Sequence, residues 1–180
     1  RTGAPMMPRD IGLVVGHTGA AAGDRVLDAG TGTGILAAYL GRLGADVTTY
    51  EIDAAFAEVA RDNMEVAGVA DRVDVRTGDI TDKIDDLTGG EPFDLLTLDT
   101  EDAPEVVADA ADLLAPGGFL AVYSPFIENS RASVEAAEAA GLAAIETVET
   151  IQRELTVDDR GTRPSTAGVG HTGYLTFARR

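Results

Sequence analysis

A chain of 180 residues with 44% hydrophobic content can bury one substantial core, and nothing in its length calls for a second large domain. The absence of cysteine excludes disulfides, thiolate metal sites and thiol nucleophiles, and two histidines, His17 and His171, supply a histidine metal site poorly, so metal-free chemistry is expected. There are 31 acidic against 14 basic residues, a net charge of −17, and Lys83 is the single lysine. Such a surface repels itself in dilute buffer but is screened at molar salt, where the Debye length falls to about 3 Å, so the composition reads as that of a halophile.

Short apolar runs then alternate with amphipathic stretches of helical length, the pattern of a parallel sheet covered by helices on both faces. In chain order, the turn Gly23-Asp24 precedes a predicted strand at 25–28, followed by a helix at 34–43 and a strand at 46–51. A helix at 54–67, a strand at 73–77, the turn Gly89-Gly90, a strand at 93–99 and a helix at 103–114 come next. Pro116-Gly117-Gly118 separates that helix from a strand at 119–123, and a helix at 130–140 leads to a last pair of strands near 143–155 and 170–178. Residues 157–168 read as a surface loop or hairpin over the active face. No apolar run approaches the roughly 20 residues of a membrane span and no signal peptide opens the chain, so a soluble, cytoplasmic protein without membrane partners is expected. The chain opens at Arg1 rather than methionine, which implies residues upstream.

Between the first predicted strand and helix lies Asp28-Ala29-Gly30-Thr31-Gly32-Thr33-Gly34. Glycines permit a tight turn and close ligand approach, while amides at a helix N-terminus favour an anionic group such as an amino-acid carboxylate. The dinucleotide fingerprint G-x-G-x-x-G would need glycine where Ile35 stands, which disfavours a nicotinamide cofactor. About twenty residues on, Glu51 closes the second strand, and its carboxylate suits both hydroxyls of a ribose, with Asp53 as N-cap of the next helix. Gly78-Asp79-Ile80 places a further acid after the third strand, suited to accept from an adenine amino group, and Asp99 ends the fourth. Asp28, Glu51, Asp79 and Asp99 thus form a row of strand-terminal acids along one sheet edge.

These features resemble those of the class I S-adenosylmethionine-dependent methyltransferases. More narrowly, the chain resembles the archaeal and bacterial tRNA adenine-N1 methyltransferases that act at positions 57 and 58. The marks are Pro8-Arg9-Asp10-Ile11-Gly12-Leu13, the glycine loop, Tyr50-Glu51, Leu98-Asp99, Tyr123-Ser124-Pro125, Arg163-Pro164 and the ending Gly170-His171-Thr172-Gly173-Tyr174-Leu175-Thr176-Phe177-Ala178-Arg179-Arg180, which is the most specific. The resemblance implies a Rossmann-like catalytic domain over 1–180, with a mostly parallel seven-stranded sheet and a C-terminal antiparallel strand. It implies S-adenosyl-L-methionine as cofactor, tRNA as substrate and a homotetramer. Asp28, Gly30, Thr31, Gly32, Thr33, Gly34, Glu51, Ile52, Gly78, Asp79, Ile80 and Asp99 are then the expected cofactor-binding residues. Asp99 and Tyr123 are the expected catalytic pair, Asp99 facing the target base; Tyr123 as a packing residue is an equal alternative, and His171 is read as structural or near the same pocket.

The chain departs from the family pattern at two places. Ala4-Pro5-Met6-Met7 stands where the family has glutamine, two apolar residues and an aromatic, and Thr100-Glu101 replaces a leucine and proline. The family's small N-terminal β domain is expected to be absent here. The net acidity opposes RNA binding, although residues 151–180 carry five arginines against three acids. A small-molecule or protein methyltransferase, or a non-catalytic cofactor-binding subunit, is the alternative.

Overall fold

The computed structural model describes residues 6–180. The sheet strands in chain order are β1 (Arg25–Ala29), β2 (Asp46–Glu51), β3 (Val73–Thr77), β4 (Phe93–Leu98), β5 (Leu114–Ser124), β6 (Ala143–Glu149) and, after an exposed hairpin of β7 (Leu155–Asp158) and β8 (Gly161–Pro164), β9 (Tyr174–Arg179). The sheet order is β3-β2-β1-β4-β5-β9-β6, parallel from β3 to β5, with β9 antiparallel to both neighbours. Strand order reverses between β1 and β4, the position at which open α/β sheets form a ligand crevice.

Helices cover both faces because successive strand residues point to opposite sides. Val26 and Val47 join α1 (Pro8–Thr18), α2 (Ile35–Arg42) and α3 (Ala54–Ala67) through Ile11, Leu40 and Met64. Leu27, Leu96 and Leu120 join α4 (Ile84–Thr88), α5 (Ala103–Ala108), α6 (Ala110–Leu113) and α7 (Ile127–Ala139) through Ile84, Val106, Leu113 and Ala137. Each fully buried leucine in these layers contributes roughly 1.5–3 kcal/mol. Asp53 caps α3 as expected, its Oδ1 accepting from the amides of Ala55 at 2.8 Å and Phe56 at 3.4 Å.

Several expectations need correction. Helix α1 went unpredicted: Ile11 and Val14 are its only fully buried apolar residues, and two glycines dilute its helical signal, but Pro8 starts it and left-handed Gly19 ends it. The helix expected at 103–114 breaks at Asp109, whose φ of −101° and ψ of 4° leave the helical range. Strand β5 begins at Leu114, and Pro116-Gly117-Gly118 is taken up as an irregularity within its ladder to β4 rather than as a turn before the strand. The long strand expected at 143–155 stops at Glu149, and residues 155–164 form the separate hairpin. Among the described residues no helix is long and apolar enough to cross a membrane.

Candidate active site

The glycine loop leaves β1 in three left-handed residues, Gly30, Gly32 and Gly34, with φ of 85°, 54° and 82°. At Gly30 a Cβ would lie 2.1 Å from the carbonyl oxygen of Asp99, so the loop presses directly on the end of β4. At Gly34 it would meet the methyl end of Met64 at 2.4 Å, so this glycine seats α2 against α3. The amides of Gly30 and Thr31 donate to the Tyr50 carbonyl at 3.0 and 3.3 Å, and Asn63 Nδ2 donates to the Thr33 carbonyl at 2.8 Å. The loop is therefore tied to β2 and α3 before any ligand arrives.

Glu51 completes this scaffold. Its Oε2 accepts from the Gly32 amide at 2.7 Å and its Oε1 from the Asp53 amide at 3.0 Å, which fixes the plane of a carboxylate that is buried to 7% exposure. Glu51 lines a cleft with Ala29, Gly30, Tyr50, Ile52, Gly78, Asp79, Ile80, Thr100 and Asp102. Ile52, 68% exposed, and buried Ile80 supply apolar walls, and Asp79 is oriented by accepting at Oδ1 from the Thr81 amide at 2.9 Å and hydroxyl at 2.8 Å. Left-handed Gly78 leaves open space where a side chain would stand. A fixed diol acceptor, a second acid and two aliphatic walls form a lining that fits a nucleoside.

Asp28 is not part of that cleft. It is buried within the sheet, where its two oxygens accept from the hydroxyls of Thr49, at 2.5 Å, and Thr97. Thr31 donates onward to Thr49 at 2.5 Å, because the Thr49 proton is committed to Asp28. Burial raises the Asp28 pKa, the two threonine hydrogen bonds oppose that rise, and the charge of Glu51 adds to it. Asp28 and Thr31, expected as ligand contacts, instead cross-link β1, β2 and β4 beneath the loop; a carboxylate ending a strand points inward when hydroxyls on adjacent strands can satisfy it. Thr33 and Gly34 likewise lie outside the cleft lining, engaged with α3.

A second cleft adjoins the first at Thr100 and is lined by Asp99, Glu101, Tyr123, Ser124, Pro125, Phe126 and Asn129. Tyr123 has 7% exposure, its ring flat enough on the Gly173 backbone that a Cβ there would meet the phenol oxygen at 2.8 Å. Burial pushes the Tyr123 phenol up to about 12, aided by the charges of Asp10 and Asp99. His171 does not line the cleft; its Nδ1 lies 2.6 Å from Glu149 Oε1 and its Nε2 3.0 Å from the carbonyl of Pro125.

Asp102, Phe126 and Asn129 were not expected at a site, since each reaches it through topology rather than a motif. The C-terminal arginines divide: Arg153, Arg160 and Arg163 are exposed on or beside the hairpin that leaves β6 at the site edge, while Arg179 and Arg180 bond to the carbonyls of Gly117 and Leu114 at the opposite edge. Ala4, where the family glutamine was expected, lies outside the described residues.

Comparison with known proteins agrees with this arrangement. The family described as the tRNA methyltransferase complex GCD14 subunit matches residues 5–162. The tRNA (adenine(57)-N(1)/adenine(58)-N(1))-methyltransferase TrmI of Methanocaldococcus jannaschii is 34% identical, over 99% of this chain and 72% of that protein. Among solved structures, a SAM-dependent O-methyltransferase from Thermotoga maritima superposes with a TM-score of 0.90 at 26% identity, covering 99% of this chain and 67% of that one. The tRNA (m1A58) methyltransferase TrmI from Aquifex aeolicus superposes at 0.86 with 23% identity, covering 99% and 71%, a likeness of fold. With its glycine loop, its Glu51 cleft and a matching family model over most of its length, the chain belongs to the tRNA methyltransferase complex GCD14 subunit family, on the Rossmann-like class I methyltransferase fold.

Proposed function

We propose that the chain methylates N1 of an adenine in the T-loop of tRNA, at position 57 or 58, using S-adenosyl-L-methionine. The observation that carries this reading is the pair of contiguous clefts meeting at Thr100, one furnished for a nucleoside and the other bounded by Asp99 and Tyr123. The cofactor supplies, when bound, an electrophilic methyl group on a sulfonium. Glu51 would accept from the ribose hydroxyls, Asp79 from the adenine amino group of the cofactor, and Ile52 and Ile80 would sandwich its ring. Ala29, Gly30 and Gly78 let backbone approach it closely.

In the second cleft Asp99 would accept from the amino group of the target base. As the N1 lone pair forms its bond to the methyl carbon and the carbon–sulfur bond breaks, positive charge passes to the base, and a carboxylate fixed beside the amino group becomes a stronger partner in the transition state than before it. No strong base is needed, because N1 already carries a lone pair. The target base must leave its stack to enter a cleft of this kind. Phe126, 63% exposed at its mouth, offers a stacking surface. Arg153, beside the hairpin, and Arg160 and Arg163 on it are exposed at the same edge and offer cationic contacts to RNA. We assign residues 1–180 to one catalytic domain acting in a homo-oligomer, with the exposed apolar residues Ile151, Leu155 and Val157 as association surface.

Incubation with methyl-labelled S-adenosylmethionine and T-loop tRNA in molar KCl, followed by nucleoside mapping, tests the reading. Label in 1-methyladenosine at 57 or 58 is expected; inert tRNA with transfer to a small molecule or protein would overturn it.

A further inference from the structure

Glu149 ends β6 just before the segment that carries the exposed hairpin, and His171 follows that segment just before β9. The two meet at its base, where Glu149 Oε1 lies 2.6 Å from His171 Nδ1, while Nε2 on the other side of the ring lies 3.0 Å from the carbonyl of Pro125. Pro125 belongs to the wall of the second cleft, next to Phe126, whose amide donates to the Ser124 hydroxyl at 3.2 Å and whose carbonyl accepts from the Ser130 amide at 3.3 Å. The backbone around His171 is anchored from α1. Asp10, 1% exposed, accepts from the Thr172 hydroxyl at 2.9 Å, and Arg9 donates to that hydroxyl at 3.1 Å and to the Val169 carbonyl at 3.4 Å. The ring is thus a bridge between a fixed segment, the end of β6 and one wall of the cleft.

Proton counting fixes its state. A carboxylate and a backbone carbonyl can only accept, so both ring nitrogens must donate, which only the imidazolium can do. A neutral ring has one N–H to offer. Left on Nδ1, it sets the lone pair of Nε2 against the oxygen of Pro125; moved to Nε2, it sets a lone pair against the carboxylate of Glu149. Of the groups around the ring, Glu149 on β6 favours the cation, Arg9 on α1 opposes it, and Tyr174 on β9 lies beside it, its ring tilted at a centroid distance of 5.0 Å. The Pro125 carbonyl first, and Glu149 second, raise the pKa of His171 above the ordinary 6.5. The side chain is 42% exposed, so the ring takes up and gives off its proton without unfolding.

We propose that His171, as an imidazolium, is a positioning residue of the second cleft: it clasps the Pro125–Phe126 wall to the base of the hairpin, and loss of its proton opens the clasp. This rests on the adenine reading above and adds a pH dependence to it, since a loosened Phe126 no longer holds a base in line for transfer. Tyr123, whose phenol is pushed up to about 12, keeps its proton over the range in which the ring titrates.

Nitrogen-15 spectra of the two imidazole rings between about pH 5 and pH 9, told apart with His17→Gln, give the midpoint of His171 directly. Exchange of the Phe126 and Ser130 amides, corrected for the intrinsic pH dependence of exchange, should quicken as pH rises through that midpoint. It should be fast at every pH in His171→Phe, which keeps a ring beside Tyr174 but has no donor. At saturating tRNA and cofactor, single-turnover methyl transfer should fall roughly tenfold through the same midpoint, the scale for a slightly misplaced substrate. Glu149→Gln removes the charge that favours the cation and should carry all three transitions to lower pH together. Exchange or a measurable rate that ignores the ring's midpoint, or a midpoint that moves alone in Glu149→Gln, would overturn the proposal. If wild type methylates no tRNA at any pH while exchange follows the ring, the adenine reading fails and the clasp stands.

Discussion

The backbone of Gly30 lies directly under the carbonyl of Asp99, so close that a Cβ would stand 2.1 Å from the oxygen. This contact joins the end of β1 to the end of β4 and sets the distance between the two clefts. Gly30→Ala must both strain a left-handed residue and push backbone against backbone, and it should cost at least about 3 kcal/mol. Gly34→Ala has a similar φ but collides with the flexible tip of Met64, and should cost only about 1–2 kcal/mol. Urea unfolding of the two variants side by side checks the ranking; equal losses would contradict it.

Glu51 is held by two backbone amides, so its carboxylate meets a ligand without reorganising. Glu51→Gln cannot accept at both positions, and a backbone donor faces the new amide protons. The dissociation constant for S-adenosylhomocysteine, measured by calorimetry, should rise roughly ten- to a hundredfold, while Asp28→Asn, away from the cleft, should change it little.

The ring of His171 bridges two acceptors, and its pKa lies above the ordinary 6.5, first through the Pro125 carbonyl and then through Glu149. A raised folded-state pKa means that the imidazolium contributes stability that is whole below the unfolded value and is lost as pH rises through the folded one. Melting temperatures of wild type should therefore fall relative to His171→Gln on going from about pH 5 to pH 9. Parallel pH profiles would contradict this.

The sequence made most of the sheet legible, because β1 and β4 are apolar runs, β2 and β3 are rich in Val and Thr, acids or glycine follow each of them, and Asp53 marks the start of α3 as its cap. It missed α1, which buries only Ile11 and Val14 fully and is diluted by two glycines, and misread Pro116-Gly117-Gly118, since a proline–glycine run looks the same in a turn and in a strand irregularity. Glu51, Asp79 and Asp99 could be placed at the site from strand ends alone. Asp28 could not be distinguished from them, because the hydroxyls that bury it, Thr49 and Thr97, come from two other strands. The meeting of Asp10 with Thr172, 162 residues apart, is invisible to any local pattern.

The assignment of Asp99 to the target base is tested most directly by single-turnover methyl transfer from S-adenosylmethionine to T-loop tRNA with Asp99→Asn beside wild type. The rate of 1-methyladenosine formation should fall roughly 100-fold or more, the scale for removing a preorganised electrostatic partner, while cofactor affinity stays within about twofold because Asp99 lies outside the Glu51 cleft. An unchanged rate, or a loss explained entirely by weaker cofactor binding, would contradict it.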